Sequence, residues 1–251
     1  MGCDIHFYVE RRVDGVWQSA DKRTEDKYEP GAMRVAYGDA FYVDRNYNLF
    51  SILADVRNDR GFAGVKTGEG FSPISPPRGV PDDASPEYLA EVGRMEGDGH
   101  SHSWLTVAEI LAYDWTQTTQ LQGWVSPDEW AVHRDSKDGP NGWSGMIGGG
   151  SVKHLTSEEF EAAWQTLRAE RGYPEQRQPR SHISGWQLKE AEGEADFARM
   201  VELLGGGSPV CLVKWSVPYY KAAGNFLGET LPRLLALGSP EDVRCAFFFD
   251  N

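Results

Sequence analysis

Val243-Arg244-Cys245-Ala246-Phe247-Phe248-Phe249 holds a single charge and shows no alternation of polar and apolar residues. A strand with one wet face alternates, whereas a run this continuous belongs to a strand covered on both faces, at the centre of a sheet. A central strand needs neighbours, and the other end of the chain offers one. In Asp4-Ile5-His6-Phe7-Tyr8-Val9-Glu10, the residues Ile5, Phe7 and Val9 share one face, while Asp4, His6, Tyr8 and Glu10 share the other. A strand so near the start of a chain is normally held inside a sheet. Asp14-Gly15 ahead of Val16-Trp17-Gln18 marks a hairpin turn. The reading is an α+β fold: one mixed or antiparallel sheet containing both terminal strands, helices packed on it, and a single domain over 1–251.

The helices lie between those strands. Leu49, Phe50, Leu53 and Val56 form a core-facing stripe that predicts a helix over 46–56, with Asp44 or Asn46 as its cap. Ser85-Pro86 opens a helix over 86–95. Thr106 with Glu109, and Thr156 with Glu159, are capping boxes that begin helices over 107–115 and from 157 to Arg171, the latter stopped by Gly172. Further helices are expected over 194–204 and 231–237, and a strand over 210–217. Irregular Gly/Pro-rich insertions are expected at about 57–81 and 137–151. The second holds six glycines between Gly139 and Gly150 and reads equally as a mobile lid or a disordered excursion.

With 251 residues and a net charge of −13, the chain can bury a substantial core but lacks the basic face a duplex-DNA binder needs. Its three cysteines form no CxxC pair, which points to a reducing cytoplasm. No apolar run reaches membrane-span length and no basic-then-apolar leader is present, so no membrane partner is expected. Composition leaves both a monomer and a homodimer open.

Chemistry concentrates in Asp98-Gly99-His100-Ser101-His102-Ser103-Trp104. In an extended segment His100 and His102 point to the same side, with Asp98 in phase, just before a helix N-terminus that favours anions. If Asp4 and His6 meet them, the set Asp4, His6, Asp98, His100 and His102 has the donor types for a divalent zinc, manganese or iron ion. Asp4, His6, His100 and His102 are the candidate catalytic residues; without a metal, the histidines supply an acid and a base near neutral pH. Arg57, Arg60 and Lys66, in a glycine-rich stretch, are candidate contacts for a phosphate, and Trp104 for a base. His133, His154 and His182 read as surface or capping residues. D-x-H plus G-H-x-H is similar to the first and last motifs of calcineurin-like metallophosphoesterases. Gly38-Asp39 and Asp44-Arg45 are spaced wrongly for that family's second motif and G-N-H-[DE] is missing, so the likeness is one of ligand types.

Met1-Gly2-Cys3-Asp4-Ile5-His6, Asp44-Arg45-Asn46-Tyr47, the segment from Asp98 to Thr106 and the Phe-Asp-Asn ending together resemble an uncharacterised family of phage and bacterial proteins. The resemblance spans most of the chain. It implies a protein acting in the bacterial cytosol, where a phage product of this size would destroy a nucleotide signal of host defence. Three functions compete. The first is a hydrolase, a phosphodiesterase cleaving a nucleotide or cyclic oligonucleotide. The second is a binder that sequesters such a small nucleotide-like anion. The third is a virion or interaction protein with structural histidines.

Overall fold

The computed structural model describes residues 2–95, 97–136, 139–173 and 191–251, so His182 lies outside the described residues. In chain order the elements are β1 (Asp4–Val13), β2 (Val16–Ser19), β3 (Arg23–Glu25), β4 (Met33–Val35), α1 (Tyr47–Ala54), α2 (Pro86–Arg94), β5 (His100–Thr106) and α3 (Val107–Ala112). There follow β6 (Thr118–Val125), α4 (Pro127–Ser136), β7 (Val152–Leu155), α5 (Ser157–Arg171), α6 (Ala191–Leu203) and β8 (Ser208–Pro218). The chain closes with α7 (Tyr219–Ala222), α8 (Thr230–Leu235) and β9 (Val243–Asp250).

The fold is α+β, but its strands form three sheets rather than one, in the orders β2-β1-β9-β5, β3-β4 and β6-β8-β7. The chain divides into two compact units. One unit comprises Met1–Gly64, Gly70–Thr118 and Pro218–Asn251; the other comprises Val65–Glu69 and Thr119–Val217.

In the first unit β1 and β9 are antiparallel neighbours from Asp4↔Asp250 to Arg11↔Val243, as the end-to-end pairing of apolar runs predicts. The continuous apolar run of β9 has the expected cause. Phe247 and Phe249 join Ile5, Phe7, Val9, Leu49, Phe50 and Ile110 in one core, while Phe248 joins Tyr8 and Tyr88 in another on the opposite face. The polar face of β1 is thereby covered by α2 from Tyr8 onward, and Glu10 is buried with it. Asn46 caps α1 by accepting from the amides of Asn48 and Leu49, and Ser85 caps α2. The Thr106–Glu109 box closes α3 at both donors, which satisfies the helix end itself; the anion site expected there is not built.

The second unit pairs β7 and β8 in parallel, connected through α5 and α6. Phe160, Trp164, Leu167, Met200, Val210 and Val213 are buried in it. The glycine-rich segment after α4 is neither lid nor free excursion over its described residues. Ser144 and Trp124 exchange both backbone hydrogen bonds, at 2.8 and 3.0 Å. The Trp143 ring lies so close to Gly123 that an added Cβ there would sit 2.4 Å from the indole. Glycine lets the tryptophan lie flat on β6, which fastens the loop to the sheet. Among the described residues no helix is long and apolar enough to cross a membrane.

Candidate functional site

All the histidines of interest lie at one end of the first unit's main sheet, where β1 begins, β5 begins and β9 finishes. They do not converge. His100 stands opposite Phe249, but the next paired residue, Ser103, stands opposite Phe247, so β5 carries one extra residue there. That bulge is made at Ser101, whose φ is 51°, in the left-handed region that side chains avoid. The extra residue breaks the two-residue alternation on which the shared face of His100 and His102 depends. The His102 ring packs on Phe248 with centroids 5.0 Å apart, whereas His100 lies over Phe249 at 6.2 Å. Phe248 and Phe249 are consecutive and face opposite sides of the sheet, so the two histidines do too.

β9 also runs between β1 and β5, so His6 and His102 are two strands apart. His6 stacks on Phe248 at 4.7 Å and 11°, leaving the phenylalanine ring between the imidazoles. Asp4 is engaged by Arg45, which donates from Nε and Nη2 at 2.7 and 2.5 Å and holds the carboxyl below the usual carboxylate range. Asp98 is exposed in the turn before β5. Divalent metal ligation needs its donors at about 2 Å from one point, and these five side chains point to different places. Among the described residues no three His, Cys, Asp or Glu side chains could hold a metal ion together. The zinc, manganese or iron expectation finds no support in this donor geometry.

The remaining contact candidates also sort apart. Arg60 is turned onto its own loop, donating to the Gly64 carbonyl at 3.1 Å and pairing with Asp59. Lys66 belongs to the second unit. Trp104 lies against the guanidinium groups of Arg78 and Arg244, 4.9 and 5.6 Å from its ring centre. His133 lies on α4, and His154 meets the Ile147 carbonyl through Nε2.

Two small assemblies remain at the end of β9. On one face His6 Nε2 lies 3.1 Å from Asp250 Oδ2, each side chain about a quarter exposed. On the other face is a cleft of about 610 Å³ lined by residues that include Arg57, His100, Ser101 and Asn251. Arg57 Nη2 donates to Asn251 Oδ1 at 2.6 Å, which directs the asparagine's Nδ2 toward His100 Nε2 at 3.0 Å. An Nε2 that accepts requires the proton on Nδ1, which then donates to Ser101 Oγ at 3.0 Å. Arg57 thus sets the tautomer of His100 through the amide of Asn251. His102, outside this chain of contacts, has its pKa lowered by burial and secondarily by His100.

The cleft has a second peculiarity. Asp55, Arg57, Ala63 and Ser101 all line it, and all adopt positive φ, at 58°, 56°, 57° and 51°. Each such residue costs on the order of 1–3 kcal/mol, and such strain gathers at functional sites. Asp250 and Asn251 are the functional candidates that residue-by-residue reading overlooks; their one signal is an Asp-Asn pair directly after an apolar run.

No family model matches the chain, and neither curated proteins nor solved structures give a significant match.

Proposed function

We propose that the cleft at the end of β9 is a phosphodiester-hydrolysing site acting on a nucleotide or cyclic oligonucleotide without a bound metal ion. The observation carrying the proposal is the Arg57–Asn251–His100 chain of contacts in a cleft walled by four strained residues. In this reading Arg57 faces the phosphate, because a guanidinium matches phosphate oxygens in geometry as well as charge. The attacking water, held against the incoming phosphate, takes the place of the Asn251 amide as the donor to His100 Nε2. That nitrogen then accepts a proton from the attacking water and returns it to the leaving oxygen. Arg57 offsets the charge that builds on the phosphoryl oxygens. His6 and Asp250, on the opposite face, take no part.

Incubation of the protein with cyclic and linear nucleotides, followed by chromatography, tests this. The expected result is new products with the wild type, a loss of about 100-fold or more in His100→Gln, and full turnover in His6→Gln. Absence of any product, with no nucleotide retained, sinks the proposal. One observation favours a second reading, sequestration: both ring nitrogens of His100 already have partners. Recovery of intact nucleotide from heat-denatured protein would select it.

A further inference from the structure

We infer that Phe62 is the platform on which this cleft stacks a nucleobase, so that its ligands are nucleotides rather than base-free phosphates. The inference rests on the cleft's being an anion site, as proposed above, and adds what selects the ligand. Phe62 is 63% exposed, a large apolar surface left in water. It opens the 3-10 turn Phe62–Gly64, whose other two members, Ala63 and Gly64, line the cleft.

The turn is rigid for reasons that lie in its own sequence. Arg60 N donates to the Arg57 carbonyl at 2.9 Å, and Gly64 N to the Gly61 carbonyl at 3.1 Å. Arg60 Nη1 closes the loop on the Gly64 carbonyl at 3.1 Å. Ala63 holds a left-handed conformation that alanine avoids when free. Asn58 ties the base of the loop down, donating to Asp55 Oδ1 and the Phe71 carbonyl at 2.6 and 2.7 Å and accepting from Phe71 N. One constrained loop therefore carries Arg57, which lines the cleft, and, five positions later, the exposed ring of Phe62 beside the lining residues Ala63 and Gly64. That pairing of a cation with a preorganised aromatic is how proteins bind bases without reading sequence. Two other aromatics already have cationic partners: Tyr47 lies 5.8 Å from the Arg57 guanidinium and accepts from Cys3 N, and Trp104 lies 4.9 and 5.6 Å from those of Arg78 and Arg244.

The test is isothermal titration with adenosine 5′-monophosphate and, as base-free control, ribose 5-phosphate. The expected result is that the wild type prefers the nucleotide by about 5- to 150-fold, the range of one base–aromatic stack. Phe62→Ala abolishes the preference and leaves ribose 5-phosphate binding unchanged; Phe62→Trp retains the preference; Arg57→Met weakens both ligands. Equal binding of the two ligands by the wild type, or a preference that survives Phe62→Ala, overturns the assignment while the anion site stands. If neither ligand binds, the anion site itself falls and this assignment with it.

Discussion

β9 carries charge at both ends, and the two ends have opposite fates. At its start Arg244 is 2% exposed and fully spoken for: Glu10 and Asp83 each accept from it at 2.7 Å, and its guanidinium lies 4.2 Å from the Trp17 ring centre. Glu10 accepts in turn from Ser85 N at 2.6 Å, tying the cap of α2 to the sheet. At its finish Asp250 and Asn251 also have charged or titratable partners, His6, Arg57 and His100, but remain open to water. The contrast teaches that charge and conspicuous neighbours do not make a site; incomplete burial does. A buried, saturated pair holds the fold, and a half-open one can exchange its partners for a ligand.

The largest break in that contrast should come from Arg244→Leu, which strands Glu10 in the core. We expect a loss of roughly 3–5 kcal/mol in urea denaturation. Asn251→Ala, at the other end, should cost less than about 1 kcal/mol. Equal losses would erase the distinction.

Asp21 tests the sealed end at intermediate scale. Its Oδ2 accepts from Val9 N at 3.0 Å, and burial pushes its pKa up to about 6 from 3.8. The folded state therefore holds a proton that the unfolded state releases, so stability should fall as pH rises from about 4 to about 6, by on the order of 2 kcal/mol. Asp21→Asn should flatten that dependence in thermal melts across the same range; an unchanged slope refutes the assignment.

The smallest change sharpens the open end. Ala63→Gly relieves a left-handed alanine and should raise stability by up to about 1 kcal/mol, part of it offset by glycine's freedom when unfolded. The same substitution should weaken adenosine 5′-monophosphate binding, because the strain holds Phe62 in place. A more stable protein with unchanged affinity would show that the strain has no bearing on the ligand.

Local chemistry made much of the scaffold legible. The apolar run of β9, the caps at Asn46 and Ser85, and both Thr–Glu boxes are signals carried within a few residues, and each is realised. The division into two units was less legible. The alternation of Thr119, Leu121, Gly123 and Val125 is plain once β6 is known, but nothing in it says that the strand joins a separate sheet. The candidate site was legible only in its residue types. Whether His100 and His102 share a face turns on one serine taking a positive φ, a conformation serine does not announce. The partners of His6 and His100 come from residues 244 and 151 positions away. Arg57 was legible as a candidate phosphate contact; its hydrogen bond to Asn251 was not.

The pairing of β1 with β9 joins residues up to 246 apart in the chain. Such a sheet cannot assemble from its beginning. During synthesis β1 has only its hairpin partner β2, and its other edge stays unpaired until β9 has emerged. The protein should therefore fold slowly, with the contacts of its middle strand forming late. Release of products shortened before residue 243 would leave an open edge, prone to pair with other chains.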